Sequence, residues 1–125
     1  MPKVSRTTAE IRDHGPVVDR FAELAGYRAQ FVTFNVDTDA TPFLKGLPHD
    51  LCSAAHWGYV FKGKVTYRYA DGTEEVHEAG DAFYAPAPHT SIAAAGTEYL
   101  QFSPAAEMAV VEAQIMKNMQ AVSGS

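Results

Sequence analysis

Cysteine is almost absent from this chain of 125 residues, because Cys52 is the single one. A lone cysteine forms no internal disulfide, which excludes the small disulfide-stapled scaffolds typical of secreted proteins. The sequence also lacks an apolar run of the roughly 20 residues that a membrane span requires, and its first residues show no secretory signal pattern. We therefore expect a cytoplasmic protein that does not act in a membrane.

Positive charge is scarce as well. Ten lysine and arginine residues stand against fifteen aspartate and glutamate residues, which gives a formal net charge of -5. No stripe of basic residues stands out, so the sequence does not predict a surface that binds nucleic acid. It contains no glycine-rich phosphate loop, no Gly-x-Ser-x-Gly elbow and no Cys-x-x-Cys pair. The expected partner is therefore a small molecule rather than a nucleic acid or a membrane.

Short β-type segments make up most of the sequence. Residues 30–36 are rich in β-branched and aromatic side chains, and Gly63 predicts a tight hairpin between strands 56–62 and 64–70. Further strands are predicted over residues 74–78, 82–85, 91–94 and 98–102, separated by turns that contain glycine or proline. Short strands at this spacing are typical of an antiparallel sandwich or barrel.

Helices are predicted near the two ends of the chain. Pro16 suits the first position of a helix and Gly26 suits its C-terminal cap, and apolar residues between them recur at helical spacing. Towards the other end, Ser103 and Pro104 suit the start of a second helix that runs to about Gln120. One face of this second helix carries the apolar residues Met108, Val111, Ile115 and Met119.

Two segments in the middle of the chain carry sequence motifs. The first reads His-Trp-Gly-Tyr-Val-Phe-Lys-Gly over residues 56–63, and the second reads Gly-Asp-Ala-Phe-Tyr-Ala-Pro-Ala-Pro-His over residues 80–89. Together they resemble the two motifs of the cupin superfamily, in particular those of small single-domain bacterial cupins. The resemblance implies an all-β fold, a small antiparallel cupin-type β-barrel or jelly roll, over residues 27–103. An N-terminal segment with a short helix (1–26) would precede it, and a C-terminal helix and tail (104–125) would follow.

The resemblance also implies where a metal would bind. Cupins usually present two histidines and a glutamate in the first motif and a histidine in the second. Counted back from Gly63, His56 takes the place of the glutamate, while Cys52 and Asp50 take the places of the two histidines. His89 takes the place of the histidine in the second motif. We therefore expect Cys52, His56 and His89 to bind a divalent metal, with Fe, Zn, Mn and Ni as the candidates.

Alternation along the first motif predicts which side chains face the barrel interior. In a strand, successive side chains point to opposite faces. A regular strand from residue 50 onwards would direct one set inward, namely Asp50, Cys52, His56, Gly58 and Val60. Beside the metal ligands, the predicted pocket residues are Asp50, Gly58, Val60, Tyr84 and His49. His77, in the charged strand 74–78, is predicted to be exposed to solvent.

Two kinds of function are compatible with such a pocket. One is a metal-dependent enzyme of oxygenase, isomerase or lyase type, with its site in the barrel mouth. The alternative is a non-catalytic ligand-binding or sensing module without a metal, in which Cys52 packs as a small apolar residue. A metal-free barrel that acts as an interaction protein is a third interpretation. Fold alone does not choose among these chemistries.

The opposite face of the same strand predicts an assembly. Trp57, Tyr59 and Phe61 would point outward, where they are too apolar to remain in water. Two short helices would cover only part of this surface. We therefore expect a homodimer about a two-fold axis, the commonest symmetry of protein oligomers.

Overall fold

The structure is a computed structural model that describes residues 3–123. The outermost residues of the predicted N-terminal segment and C-terminal tail, 1–2 and 124–125, lie outside the described residues. The strands are β1 (Glu10–Asp13), β2 (Val17–Leu24), β3 (Tyr27–Phe34), β4 (Thr38–Asp39), β5 (His56–Lys62), β6 (Lys64–Tyr69), β7 (Glu74–Glu78), β8 (Ala82–Ala85), β9 (His89–Ala93) and β10 (Glu98–Pro104). Helix α1 (Ala105–Ser123) follows β10 directly.

Two antiparallel sheets build the molecule. The large sheet has the strand order β1-β2-β3-β10-β5-β8, and the small sheet has the order β4-β9-β6-β7. Apolar side chains from both sheets pack into one core that includes Val32, Val60, Val65, Tyr67 and Phe83. Within residues 3–123 no strand pairing joins the two sheets, so the predicted antiparallel β fold is present, but as a double sheet rather than a closed barrel.

Gly63 turns the chain from one sheet to the other. The predicted hairpin between the strands that flank it is wrong, because β5 pairs with β10 and β8 while β6 pairs with β7 and β9. A glycine is required here because its φ is +75° and because a Cβ atom would lie 2.4 Å from Thr97 Oγ1. The glycine marked the tight turn correctly, but a tight turn by itself does not establish that the strands beside it are partners.

The predicted N-terminal helix is also wrong. Residues 17–24 form strand β2, which pairs with β3 along its whole length. The connecting residues Ala25 and Gly26 have φ values of 51° and 83°, as in the two-residue turns that close β-hairpins. A left-handed glycine ends helices and hairpin strands alike, so Gly26 could not distinguish the two structures. The backbone hydrogen bonds to β3 stabilise residues 17–24 as a strand rather than a helix.

The C-terminal helix is confirmed, although it begins at Ala105 rather than Ser103. Its inner face packs with residues of the long connection between β4 and β5, in a second core that contains Leu44, Leu47, Cys52, Met108 and Val111. That connection also holds two short 3-10 turns, at Thr41–Phe43 and Pro48–Asp50. Among the residues described, no helix combines the length and the apolarity needed to cross a lipid bilayer.

Candidate metal centre and adjoining cavity

Three side chains of metal-ligand type meet between the two sheets. The ligand atoms of Cys52, His56 and His89 all lie within 4.8 Å of one another, and all three residues are buried. His56 and His89 are the first residues of β5 and β9. Cys52 is held beside His89 by two backbone hydrogen bonds, Cys52 N to His89 O at 2.7 Å and His89 N to Cys52 O at 3.2 Å. The local strand pairing therefore brings together the three residues that the sequence indicated.

Both imidazole rings are fixed through their Nδ1 atoms. Nδ1 of His89 donates to the carbonyl oxygen of Pro86 at 2.9 Å, and because that oxygen can only accept, Nε2 of His89 keeps its lone pair. Nδ1 of His56 lies 2.7 Å from Ser103 Oγ, and its Nε2 faces the thiol of Cys52. Such hydrogen bonds at the second nitrogen are typical of metal-binding histidines, because they fix the tautomer and the direction of the ring.

The separation of the sulfur and nitrogen atoms fits a metal of tetrahedral geometry. Bond lengths of about 2.3 Å to sulfur and about 2.05 Å to nitrogen place two tetrahedral ligands about 3.6 Å apart. The distance between Cys52 Sγ and His56 Nε2 is 3.6 Å. Three protein ligands would leave a fourth position for water or substrate, which is the arrangement of catalytic rather than structural zinc sites.

Burial determines the protonation of this cluster. It lowers the pKa of His56 to about 3, with the neighbouring His89 as a second cause, and it also lowers the pKa of His89. Both imidazoles are therefore neutral near pH 7, the form that binds metals. Burial raises the pKa of the Cys52 thiol to about 11, so this thiol keeps its proton until a metal displaces it.

A cavity of about 420 Å³ adjoins the cluster, a volume within the range of small-molecule pockets. The two sheets form its walls and helix α1 covers one side. The lining includes Cys52, His56 and His89 as well as Tyr67, Tyr99 and Met108. Burial is the main cause that raises the pKa of both tyrosines, so their phenol groups are neutral. The predicted apolar stripe of the C-terminal helix therefore faces this cavity, not the aromatic surface of the large sheet.

Three of the predicted pocket residues lie on the molecular surface. His49 and Asp50 are exposed in a 3-10 turn, and both have positive φ values, 59° and 57°. The regular strand begins only at His56, so the alternation assumed from residue 50 does not hold. Tyr84 is 49% exposed and packs on Trp57 at a ring-centroid distance of 4.9 Å on the outer face. Its neighbour Phe83 is the inward residue of β8.

The other two predicted pocket residues point inward but lie in the core beside the cavity. Val60 is fully buried among apolar side chains. At Gly58 there is no room for a side chain, because a Cβ atom would lie 2.3 Å from the carbonyl oxygen of Leu100 and 2.5 Å from the ring of Phe83. His77, predicted to be solvated, is only 5% exposed, and its ring stacks on Phe83 at 4.7 Å.

The sequence did not reveal a polar network that lines the same cavity. Asp19 Oδ2 accepts a hydrogen bond from Gln30 Nε2 at 3.0 Å, and Gln30 Oε1 accepts one from Gln101 Nε2 at 2.9 Å. All three residues are buried. Polar residues at inward positions of apolar strands are the signal that could have found them. It was missed at Asp19 because residues 16–26 fitted a helix, on whose polar face an aspartate is ordinary.

No family model matches the sequence, and no curated protein matches it. Solved structures are similar to it. An RmlC-like cupin from Shewanella frigidimarina NCIMB 400 superposes with a TM-score of 0.57 and 19% identity, over 81% of this chain and 88% of that chain. KdgF from Halomonas sp. gives a TM-score of 0.55 and 22% identity, over 80% of this chain and 90% of that chain.

A third similar structure is the oxalate decarboxylase of Bacillus subtilis, a protein with Mn(II) centres. It gives a TM-score of 0.60 and 20% identity. The match covers 83% of this chain but 29% of that chain, so this protein spans less than a third of the decarboxylase. Since cupins recur among these structures, the chain has the fold of the cupin superfamily.

Proposed function

We propose that this protein is a small-molecule-binding cupin and a metal-dependent enzyme, with Cys52, His56 and His89 as ligands of one divalent ion. The observation that carries the proposal is the convergence of these three buried ligand atoms within 4.8 Å at the wall of a cavity. The hydrogen bonds at both Nδ1 atoms support it, because they leave both Nε2 atoms for the metal.

The ligand set favours some metals over others. A thiolate with two imidazoles suits Zn, Fe or Ni, whereas Mn prefers the carboxylate that this set lacks. When bound, such a metal would supply Lewis-acid polarisation of a substrate oxygen or binding of O₂, as in enzymes of isomerase, lyase or oxygenase type. Ser103 and the carbonyl of Pro86 hold the imidazoles in place, and helix α1 covers one side of the cavity. Which of these three types of reaction takes place depends on the substrate.

The decisive experiment is metal analysis of protein purified without added metal. We expect close to one divalent ion per chain, and almost none in the double variant His56→Ala/His89→Ala. His49→Ala serves as the matched control, because His49 is an exposed histidine outside the cavity. Circular dichroism would establish that each variant is folded. An unchanged metal content in the double variant would show that the ion binds elsewhere.

One observation favours the metal-free alternative, a ligand-binding or sensing module. The Cys52 thiol has a raised pKa and packs in the apolar core beneath helix α1, as a structural cysteine does. Under this alternative the purified protein contains no metal, and added Zn²⁺ or Fe²⁺ does not change its unfolding temperature. A metal-binding protein would instead be stabilised in proportion to the logarithm of the free metal concentration.

A further inference from the structure

The cavity has a second polar region, separate from the thiol and imidazole cluster. Within residues 3–123, three side-chain oxygens there have no hydrogen-bond partner: Asp19 Oδ1, Gln101 Oε1 and Glu112 Oε2. All three residues line the cavity, and they are 9%, 4% and 9% exposed. Buried acceptors without partners lower stability, and native proteins rarely keep them without a reason. Three of them around one cavity point to a ligand that carries hydrogen-bond donors.

A relay of hydrogen bonds fixes which atom of Gln101 is free. An ionised Asp19 can only accept, so Gln30 must direct its NH₂ group towards Asp19 and its oxygen towards Gln101. Gln101 must then direct its own NH₂ group towards Gln30. The remaining atom, Gln101 Oε1, is therefore an acceptor held in position by two preceding bonds.

The charges of this region balance. Glu112 accepts a hydrogen bond from Arg28 Nε at 3.1 Å, and its other oxygen lies 3.5 Å from a guanidinium nitrogen of Arg12. Both guanidinium groups also stack on the ring of Phe21, at 4.6 and 4.7 Å. Two carboxylates, Asp19 and Glu112, thus face two arginines. Asp37 and Asp39 line the cavity as well, so the balance holds only for the charges around the free acceptors. At that place an ammonium group has no advantage, and neutral hydroxyl groups fit best.

The two polar regions are close enough for one small molecule to reach both. Gln101 and Ser103 lie two residues apart on the same face of β10, which is roughly 6.6 Å along a strand. Ser103 contacts His56 of the metal cluster at 2.7 Å. A molecule with a backbone of several carbon atoms spans this distance.

We infer that the cavity binds a small polyhydroxylated molecule of the sugar or sugar-acid class. Its hydroxyl groups donate to the free oxygens of Asp19 and Gln101 and to Glu112 Oε2, which has an ion-pair contact with Arg12 but no hydrogen bond. An oxygen at its other end faces Cys52, His56 and His89. The second contact rests on the proposed function, whereas the first does not. The hydroxyl contacts therefore determine substrate specificity, and the metal cluster determines the reaction.

Four six-carbon carboxylates test this inference on the protein as purified. D-Gluconate and D-galactonate carry five hydroxyl groups, hexanoate carries none, and 6-aminohexanoate carries an ammonium group instead. Titration calorimetry or ligand-observed NMR would give the dissociation constants. We expect at least one of the two sugar acids to bind about tenfold or more tightly than hexanoate and 6-aminohexanoate, since it satisfies several acceptors. Equal or tighter binding of hexanoate or 6-aminohexanoate would overturn the inference.

Variants separate the hydroxyl contacts from the metal cluster. Gln101→Met removes the free acceptor, and Asp19→Asn turns an acceptor into an amide while keeping its shape. Both should lose the preference for the sugar acid and keep their metal content. Gln114→Leu is the matched control, because Gln114 lies on α1 outside the cavity lining. If both folded variants kept the preference, the inference would be wrong whatever the metal content. If the wild type held no metal but kept the preference, only the proposed function would fail.

Discussion

The inner and outer faces of the large sheet carry opposite kinds of side chain. On the inner face, polar residues such as Asp19, Gln30, Gln101 and His56 are nearly inaccessible to solvent. On the outer face, aromatic residues remain 40–49% exposed, and these are Tyr27, Trp57, Tyr59, Phe61 and Tyr84. A sheet in a soluble protein usually shows the reverse arrangement, with apolar residues inside and polar residues outside.

The difference between the faces follows from the position of helix α1. Helix α1 packs over the cavity at the end of the two sheets, so within residues 3–123 no element of comparable size covers the aromatic surface of β5 and β8. A short N-terminal segment reaches that surface, where Arg6 lies over the rings of Phe31 and Phe61 at 5.8 and 5.2 Å. The inner face can be polar because its side chains bind one another and line a cavity. The outer face is apolar, and the described part of one chain provides no equivalent partner for it.

The largest effect is expected where the inner face is most tightly packed. Gly58→Ala would drive a methyl group into the Leu100 carbonyl and the Phe83 ring, so the free energy of unfolding should fall by about 3 kcal/mol or more. Gly72→Ala is the control, because Gly72 has open space around it and only a positive φ. That variant should lose about 1 kcal/mol. Urea unfolding measures both, and equal losses would mean that the inner face is not closely packed at Gly58.

A fall in pH should also lower the free energy of unfolding, through the two histidines of the metal cluster. Burial lowers the pKa values of His56 and His89 below their ordinary value of 6.5. Between the lowered value and 6.5 the unfolded chain therefore binds more protons than the folded one, and stability falls as the pH falls through this range. Each imidazole contributes a slope of about 1.4 kcal/mol per pH unit in the metal-free protein.

Urea unfolding of metal-free protein at pH 7.5, 6 and 5 would measure this slope. In His56→Gln the contribution of one imidazole is removed, so the free energy of unfolding should depend less steeply on pH. The same slope in the wild type and in the variant would mean that other groups account for the sensitivity to acid.

A smaller effect is expected from the residue that orients His56. Ser103→Ala removes the hydroxyl group 2.7 Å from His56 Nδ1 but none of the three metal ligands. Loss of such a contact typically weakens metal affinity about 10- to 100-fold. Ser53→Ala serves as the control, since Ser53 is the neighbour of Cys52 but is not a hydrogen-bond partner of either imidazole. Competition with a chelator measures the affinity, and an unchanged value for Ser103→Ala would leave Ser103 as a packing residue.

The sequence predicted the strands of this fold better than their partners. Strands 56–62, 64–70, 74–78 and 82–85 agree with the structure to within one residue, because glycine and proline turns delimit them locally. The pairing across Gly63 and the strand at residues 17–24 were missed. The pairing across Gly63 depends on hydrogen bonds to residues distant in the chain, such as those between β5 and β10, which local spacing does not encode. The strand at residues 17–24 pairs with its neighbour β3, and it was missed because Pro16 and Gly26 suit the two ends of a helix equally well.

For the candidate site too, local spacing predicted some residues but not those that other strands bring to it. Motif spacing indicated Cys52, His56 and His89, because Cys52 lies just before His56 and pairs with His89, and both histidines begin strands. It could not indicate Ser103, the second-last residue of β10, because a serine before a proline also suits the start of a helix. Nor could it link Asp19 to Gln101 through Gln30, since this network requires β2, β3 and β10 to be aligned side by side.

The smallest effects are expected on the outer face, where single side chains are already half buried. We expect the aromatic surface to pair with a second copy about a two-fold axis, because Leu24, Tyr27, Trp57 and Phe102 also line an open groove there. Sedimentation at micromolar concentration should then give twice the chain mass of 13.6 kDa. Trp57→Ser and Tyr59→Ser should each weaken the dimer by about 1 kcal/mol, since less than half of each side chain remains to be buried. Val76→Ser, with a side chain 48% exposed on the small sheet, should leave the dimer unchanged. A monomeric wild type, or equal weakening by Val76→Ser, would show that the aromatic face has no such partner.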